Sequence, residues 1–137
     1  MATVRQHMAL EIERDWDGVI ATFEHPRYEL HGPGVVFDGE DAVRRYFQLS
    51  RTPFPDQGNE VIAIAADDDS DTVLVEFWLT GTHSGPLQVG DRVFEPTGKA
   101  FRVRLAATFE FAPGSDLIVA ERPFYDSGAV LRALDLV

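Results

Sequence analysis

Cysteine is absent from the 137-residue chain, which removes disulfides, thiol nucleophiles and cysteine-ligated zinc from the chemistry open to it. Basic side chains are scarce: 12 Lys and Arg against 23 Asp and Glu leave a net charge of −11. A surface of that sign repels a phosphate backbone unless a basic patch overrides it. The cations are scattered, grouped only at Arg44-Arg45 and Arg102/Arg104, so no nucleic-acid partner is expected. No apolar run approaches the roughly 18 residues that a membrane span needs. The stretch Met1 to His7 lacks the apolar centre of a secretory signal, which makes the cytoplasm the default location. Repeats, linkers and low-complexity segments are also missing, so residues 1–137 read as one domain.

The first third of the chain has helical spacing. Val4, Met8 and Ile12 recur every four residues, predicting a helix from Val4 to Arg14. Asp15 is placed to cap a short second helix, Trp16 to Phe23. Arg27 to His31 reads as a strand ended by Gly32-Pro33-Gly34. A third helix, from about Glu40 to Leu49, carries a stripe of Ala42, Val43, Tyr46, Phe47 and Leu49, and Thr52-Pro53-Phe54-Pro55 stops it. The pattern then turns to β. Val61–Ala65 and Val73–Leu79 flank Asp67-Asp68-Asp69 and Asp71. These acids lack the glycine and closing glutamate of an EF-hand loop, and they read as a solvated hairpin turn rather than a calcium site. Phe101–Phe111 alternates almost without fault, and after Pro113-Gly114-Ser115 comes a last strand through Glu121, then a closing helix. Helices first and an antiparallel or mixed sheet after them is an α+β arrangement.

Alternation assigns the faces, since successive strand side chains point to opposite sides. Val103, Leu105, Ala107, Phe109 and Phe111 must pack inward, because burying Arg102, Arg104 and Glu110 unpaired would cost several kcal/mol per charge. On the preceding long strand Val75, Phe77, Leu79, Gly81 and His83 face in, while Glu76 and Trp78 face out. An outward Trp78 on a broad sheet predicts a partner there, the simplest being a second copy of the chain. In the last strand Val119, Glu121, Pro123 and Tyr125 share one face. If that face is the inner one, Glu121 is a carboxylate among apolar groups, suited to proton transfer. The competing readings are pairing with an arginine, or a twist that turns Glu121 to solvent.

Three stretches resemble the NTF2-like superfamily, in particular its SnoaL-like polyketide cyclase and ketosteroid isomerase-like branch. They are Tyr28–Gly34 with Gly39-Glu40-Asp41-Ala42-Val43 and Tyr46-Phe47, Gly81–Gly85 with Pro96–Lys99, and Asp116–Leu136. The resemblance implies a cone: a curved antiparallel or mixed sheet wrapped around three helices from the N-terminal half, a short C-terminal helix, and a pocket between them, usually in a homodimer. In the cyclases of this branch an aspartate on the last long strand moves the proton and a histidine stands two residues before it. Those positions fall on Pro123 and Glu121 here. The departure leaves two readings beside each other: an enzyme using Glu121 instead, and a non-catalytic domain that kept the pocket. The cyclases' polar positions on the preceding strand fall near Leu105 and Ala107, implying a drier pocket.

The candidate catalytic set is therefore Glu121 as general acid/base, His31 at the pocket mouth as a second proton-transfer group, and Tyr125 as a hydroxyl donor to a carbonyl. His31 could equally be bound to loop backbone. The expected lining is Trp16, Tyr46, Phe77, Leu79, His83, Leu105, Ala107 and Pro123, with Trp16 and Tyr46 also explicable as core. Asp126 is expected to cap the last helix, and His7 and His25 to lie on the surface. No histidine spacing supports a metal centre, and no cofactor is expected. The expected activity is isomerase, cyclase or hydratase chemistry on a small, mostly apolar carbonyl compound. An epoxide hydrolase, which needs an acid and an arginine together inside the cavity, is a third reading that the outward Arg102 and Arg104 oppose.

Overall fold

Alternating long strands and amphipathic helices can bury their apolar faces only against each other, and the computed structural model shows that solution. It describes residues 1–126 and 128–137. In chain order the elements are α1 (Ala2–Glu13), α2 (Trp16–Ala21), β1 (Arg27–Leu30), β2 (Val35–Asp38), α3 (Glu40–Arg51), β3 (Gly58–Asp67), β4 (Thr72–Thr82), β5 (Leu87–Val89), β6 (Arg92–Phe94), β7 (Ala100–Phe111), β8 (Ile118–Phe124) and α4 (Ala129–Ala133). Six strands form one curved mixed sheet in the order β2-β1-β8-β7-β4-β3, and β5 pairs with β6 in a separate hairpin. Every contact in the large sheet is antiparallel except β1 with β8. The α+β cone is thus observed. Strand β2 and the β5–β6 hairpin add to the elements read from the sequence.

The inner face of the sheet is the core. Val73, Val75, Phe77, Leu105, Ala107 and Phe109 meet Val4 and Met8 of α1, Val19 of α2, and Val43 and Phe47 of α3. On the outer face, ion pairs bridge neighbouring strands: Arg27–Glu29–Arg122–Glu110, Arg104–Glu76 and Arg102–Glu60. Arg102 and Arg104 point outward as expected, and both guanidinium groups lie over the Trp78 ring, 4.0 and 5.5 Å from its centroid. The acidic turn between β3 and β4 is a short 3-10 segment, Asp68–Ser70, with Asp71 left-handed at φ 51°. No helix among the described residues is long and apolar enough to cross a membrane.

One expectation about α1 changes. Ile12 is 43% exposed, whereas Val4, His7 and Met8 are buried. The buried stripe runs Val4, His7, Met8, Glu11, the i, i+3, i+4, i+7 set of a single helix face. Two of its four members are ionisable. His7 was expected on the surface and is instead fully buried.

The β5–β6 hairpin is fixed at its base. The amides of Ser84 and Gly85 both donate to the Pro53 carbonyl, and Gly98 donates to His83. A Cβ at Gly85 would stand 2.0 Å from the Thr52 carbonyl oxygen, with no flexible side chain to give way. Gly85→Ala should therefore destabilise the protein by about 2 kcal/mol, lowering the melting temperature by several degrees. An unchanged melting temperature would show that this junction is looser than its geometry.

Candidate acid–base site

The parallel pairing of β1 with β8 sets the site. Tyr28 is in register with Glu121, and paired residues on neighbouring strands share a face. Both therefore point inward, onto the polar side of α1. His31 pairs with Phe124, three residues further along each strand. An odd offset places these two on the opposite face. His31 is exposed and its ring stacks on Phe124, with centroids 4.5 Å apart. It does not reach the cavity, and its expected proton-transfer role is withdrawn.

His7 occupies the centre of what does reach inward. Its ring sits between the edges of Phe23 and Phe109, each centroid 5.4 Å away. The Thr22 hydroxyl donates to the Val19 carbonyl at 2.6 Å, so its oxygen must accept from His7 Nδ1, 2.8 Å away. That assigns one ring proton. The other nitrogen, Nε2, faces three oxygens: Glu121 Oε1 at 2.7 Å, Glu11 Oε1 at 2.9 Å and the Tyr28 hydroxyl at 3.2 Å. Tyr28 donates its own proton to Glu11 at 2.8 Å. A lone pair on Nε2 would face the ionised Glu11 oxygen, whereas an N–H there is accepted by the oxygens of both glutamates. His7 is therefore an imidazolium shared between two carboxylates.

The ionisation of the cluster follows. Burial works against charge on His7, but the charge of Glu11 and hydrogen bonds to both glutamates lift its pKa from 6.5 to about 10. Burial likewise opposes charge on Glu11, yet the His7 charge and hydrogen bond, then Arg51 and Tyr28, bring it down to about 2. Glu121 goes the other way: burial and the charge of Glu11 push it upward, only partly offset by His7. Two carboxylates around one imidazole thus take different roles, Glu11 the permanent counter-ion and Glu121 the group that exchanges a proton. Tyr28 and Tyr125 are held protonated, first of all by burial.

Glu11 and Glu121 lie at the wall of a cavity of about 320 Å³, a size that suits a small ligand. Its sheet side is Phe77, Leu79, Leu105, Pro123 and Tyr125; α3 supplies Tyr46 and Arg51, α4 supplies Val130, and the hairpin supplies Leu87 and Val89. Ile12, Leu49 and Val89 are exposed apolar members of the same lining and mark the mouth. Of the expected lining, Tyr46, Phe77, Leu79, Leu105 and Pro123 are present, and Glu121 and Tyr125 are where their face placed them.

Three expected lining residues lie elsewhere. Trp16 stacks on Phe47 with centroids 4.5 Å apart, held by helix packing. Ala107 is buried in the core, away from the cavity wall. His83 is fully buried behind Phe54, where its Nδ1 takes the Thr97 amide and contacts the Thr97 hydroxyl. Asp126 is not the cap expected: Gly128 holds that position without a side-chain cap, and Asp126 instead accepts the Gly128 amide at 2.9 Å and pairs with Arg132. His25 is exposed and contacts Asp38.

The donor atoms of His7, Glu11 and Glu121 lie within 4.8 Å of one another, a set that a divalent cation could in principle use. The centre of this set is taken by the Nε2 proton, and the outer oxygen of Glu11 faces the Arg51 cation at 3.5 Å. A metal would have to displace the first and sit beside the second. The geometry is that of a proton-held cluster.

With fold and site described, the comparisons place the chain. Residues 4–120 match the family model of the SnoaL-like domain. The chain belongs to that family, within the NTF2-like superfamily. Comparison with curated proteins finds no match by sequence. Among solved structures, a candidate SnoaL-like polyketide cyclase from Jannaschia sp. CCS1 is similar at 22% identity and TM-score 0.82, covering 99% of this chain and 91% of that one. IdmH, a candidate polyketide cyclase from Streptomyces antibioticus, is similar at 20% identity and TM-score 0.78, covering 98% and 96%. The epoxide hydrolase/cyclase-like enzyme SalBIII, from pyran ring formation in polyether salinomycin, is similar at 21% identity and TM-score 0.73, covering 93% and 91%. Likeness at these identities establishes the fold and leaves the reaction to the site.

The cluster predicts a pH dependence of stability. A pKa raised to about 10 on His7 contributes stability that is complete below the unfolded value of 6.5 and lost as pH climbs toward 10. The raised Glu121 acts in the same direction above 4.5. The lowered Glu11 contributes stability above 4.5 that is lost as pH falls toward 2. His7→Gln should therefore flatten the decline in melting temperature between about pH 6.5 and 10. Parallel wild-type and variant curves would contradict the imidazolium.

Proposed function

We propose that this SnoaL-like protein is a cofactor-independent acid–base enzyme of the isomerase, cyclase or hydratase kind, acting on a small, mostly apolar carbonyl compound. The observation that carries the reading is the Glu121 carboxyl at the wall of an apolar cavity, held at 2.7 Å by a buried His7 and kept reluctant to ionise. Glu121 takes a proton from carbon or gives one to oxygen; His7 orients it and balances its charge; Tyr125, just past the end of the same strand, offers a hydroxyl. Pro123, in the position where the family's cyclases carry their acid, only lines the wall. A cytoplasmic setting accords with this chemistry.

A second reading has its own observation. Arg51 and Glu11 stand together at the cavity wall, which supplies the acid and guanidinium pairing that epoxide opening requires. Arg102 and Arg104 do not provide it, being on the outer face.

The test is deuterium uptake at the α-carbon of a panel of aryl and alkyl ketones, with a matching panel of epoxides followed for diol formation. Wild-type protein is expected to accelerate exchange for at least one ketone. Glu121→Gln should reduce that rate by about 10²–10⁴-fold in protein that remains folded. Equal exchange in the variant would remove Glu121 from catalysis. Diol formation without exchange would favour the epoxide reading, and ligand binding with neither reaction would favour a non-catalytic domain.

We also propose a homodimer through the outer sheet face, where Trp78 lies beneath Arg102 and Arg104. Light scattering should give twice the chain mass for wild type and a single chain mass for Trp78→Glu. A monomeric wild type would refute it.

A further inference from the structure

Tyr28 is fully buried, its ring packed by Phe23, Tyr46 and Phe47 with centroids 5.6, 5.0 and 5.6 Å away. This packing fixes the hydroxyl beside the acid–base cluster. The cluster holds two buried donor protons, the His7 Nε2–H and the Tyr28 O–H, and both reach Glu11 Oε1, at 2.9 and 2.8 Å. The Nε2–H also reaches Glu121, on Oε1 at 2.7 Å. Glu121 Oε2 has no partner among the described residues and is not sealed from the cavity that its residue lines. It is the oxygen that can meet a substrate.

A residue that only filled the core here could be phenylalanine, because Glu11 Oε1 already receives the His7 proton. The hydroxyl matters when Glu121 is ionised. Two carboxylates then flank one imidazolium, and each buried anion needs its own donor. With Tyr28 on Glu11, the Nε2–H can serve Glu121, one donor for each anion. When Glu121 carries a proton on Oε2, Glu11 is the remaining anion of the pair and both donors converge on it. Neither state leaves a donor or a charge unanswered, and no side chain has to move.

We propose that Tyr28 is a positioning residue whose hydroxyl answers Glu11, so that the His7 Nε2–H is free to serve Glu121 whenever that carboxyl gives up its proton. The proposal deepens the acid–base reading and rests on it. In the reaction a substrate bond to hydrogen breaks, an O–H bond forms on Glu121 Oε2, and the bonding pair stays with the substrate. Return of the proton restores the carboxylate, and no oxidant or second reactant is consumed. Tyr28 touches neither substrate nor the transferred proton; it acts through Glu11 and His7. The other groups facing the site hold their charge while Glu121 changes its own. On α1, His7 and Glu11 titrate at about 10 and about 2. Tyr46 of α3 and Tyr125 are kept protonated, first of all by burial, and Arg51, against Glu11, is a fixed cation.

The test is a carboxyl titration of Glu121 by ¹³C NMR in the intact chain. Tyr28→Phe should raise the Glu121 midpoint by about one pH unit, the equivalent of one hydrogen bond to a charged group. The acid limb of ketone exchange against pH should move upward with it, at unchanged KM. A 3-fluorotyrosine placed at position 28 is a more acidic donor and should move the midpoint the other way. Phe47→Leu, which loosens the packing around the Tyr28 ring but keeps the hydroxyl, should leave the midpoint in place. A midpoint unmoved in both folded Tyr28 variants overturns the proposal, as does an equal rise in Phe47→Leu. If Tyr28→Phe does not fold, the 3-fluorotyrosine protein decides: a lowered midpoint supports the proposal and an unmoved one overturns it. The two readings fail separately. Exchange lost in Glu121→Gln with the Tyr28→Phe profile unshifted removes Tyr28 and leaves Glu121 in place, whereas shifted midpoints with no exchange in any protein do the reverse.

Discussion

One proton, on Nε2 of His7, stands among Glu121 Oε1, Glu11 Oε1 and the Tyr28 hydroxyl. These four side chains come from α1, β1 and β8, so the contact joins the first helix of the chain to its last long strand. Removing the imidazole would leave two buried carboxylates facing each other, and loss of one partner from a buried ionic group costs about 3–5 kcal/mol. The cluster is thus costly to break and specific in geometry. It also splits two chemically similar glutamates: Glu11, which has Arg51 and Tyr28 besides His7, is held ionised, while Glu121 is left with burial and a like charge.

The sheet makes this arrangement possible through one parallel contact. Antiparallel hairpins join β3 to β4, and β7 joins β4 and β8 in the same sense. The β1–β8 pairing brings the first strand of the chain alongside the last. Its register puts Tyr28 and Glu121 on the inner face and His31 and Phe124 on the outer face. A slip of one residue would exchange the two sets, replacing a buried acid–base group with a stacked aromatic pair. The outer face has its own logic: its acids and bases form ion pairs between strands, while Trp78 remains half-buried under two arginines.

Much of this was legible in advance, for reasons particular to each residue. Glu121 and Tyr125 could be placed because alternation in the last strand is strict over the few residues that matter. Arg102 and Arg104 could be placed outward because β7 alternates for its whole length. His7 was missed because the first helix was read from its apolar members alone. Val4, Met8 and Ile12 define one direction, while Val4, His7, Met8 and Glu11 define the buried one, and the decisive signal was a histidine and an acid four residues apart on a helix otherwise poor in core residues. Arg51 carried no signal of its own, since its meaning depends on Glu11, forty residues earlier. His31 was misassigned because a loop-side histidine at a strand end was credited with reaching inward, when its position three residues after Tyr28 put it on the other face.

The measurement closest to the centre of the account is a paired NMR titration of the His7 ring nitrogens and the Glu121 side-chain carboxyl. The account predicts both His7 nitrogens protonated through neutral pH, and a Glu121 carboxyl that gives up its proton above the ordinary 4.5. A neutral His7 titrating near 6.5, with Glu121 ionising at or below its ordinary value, would contradict it.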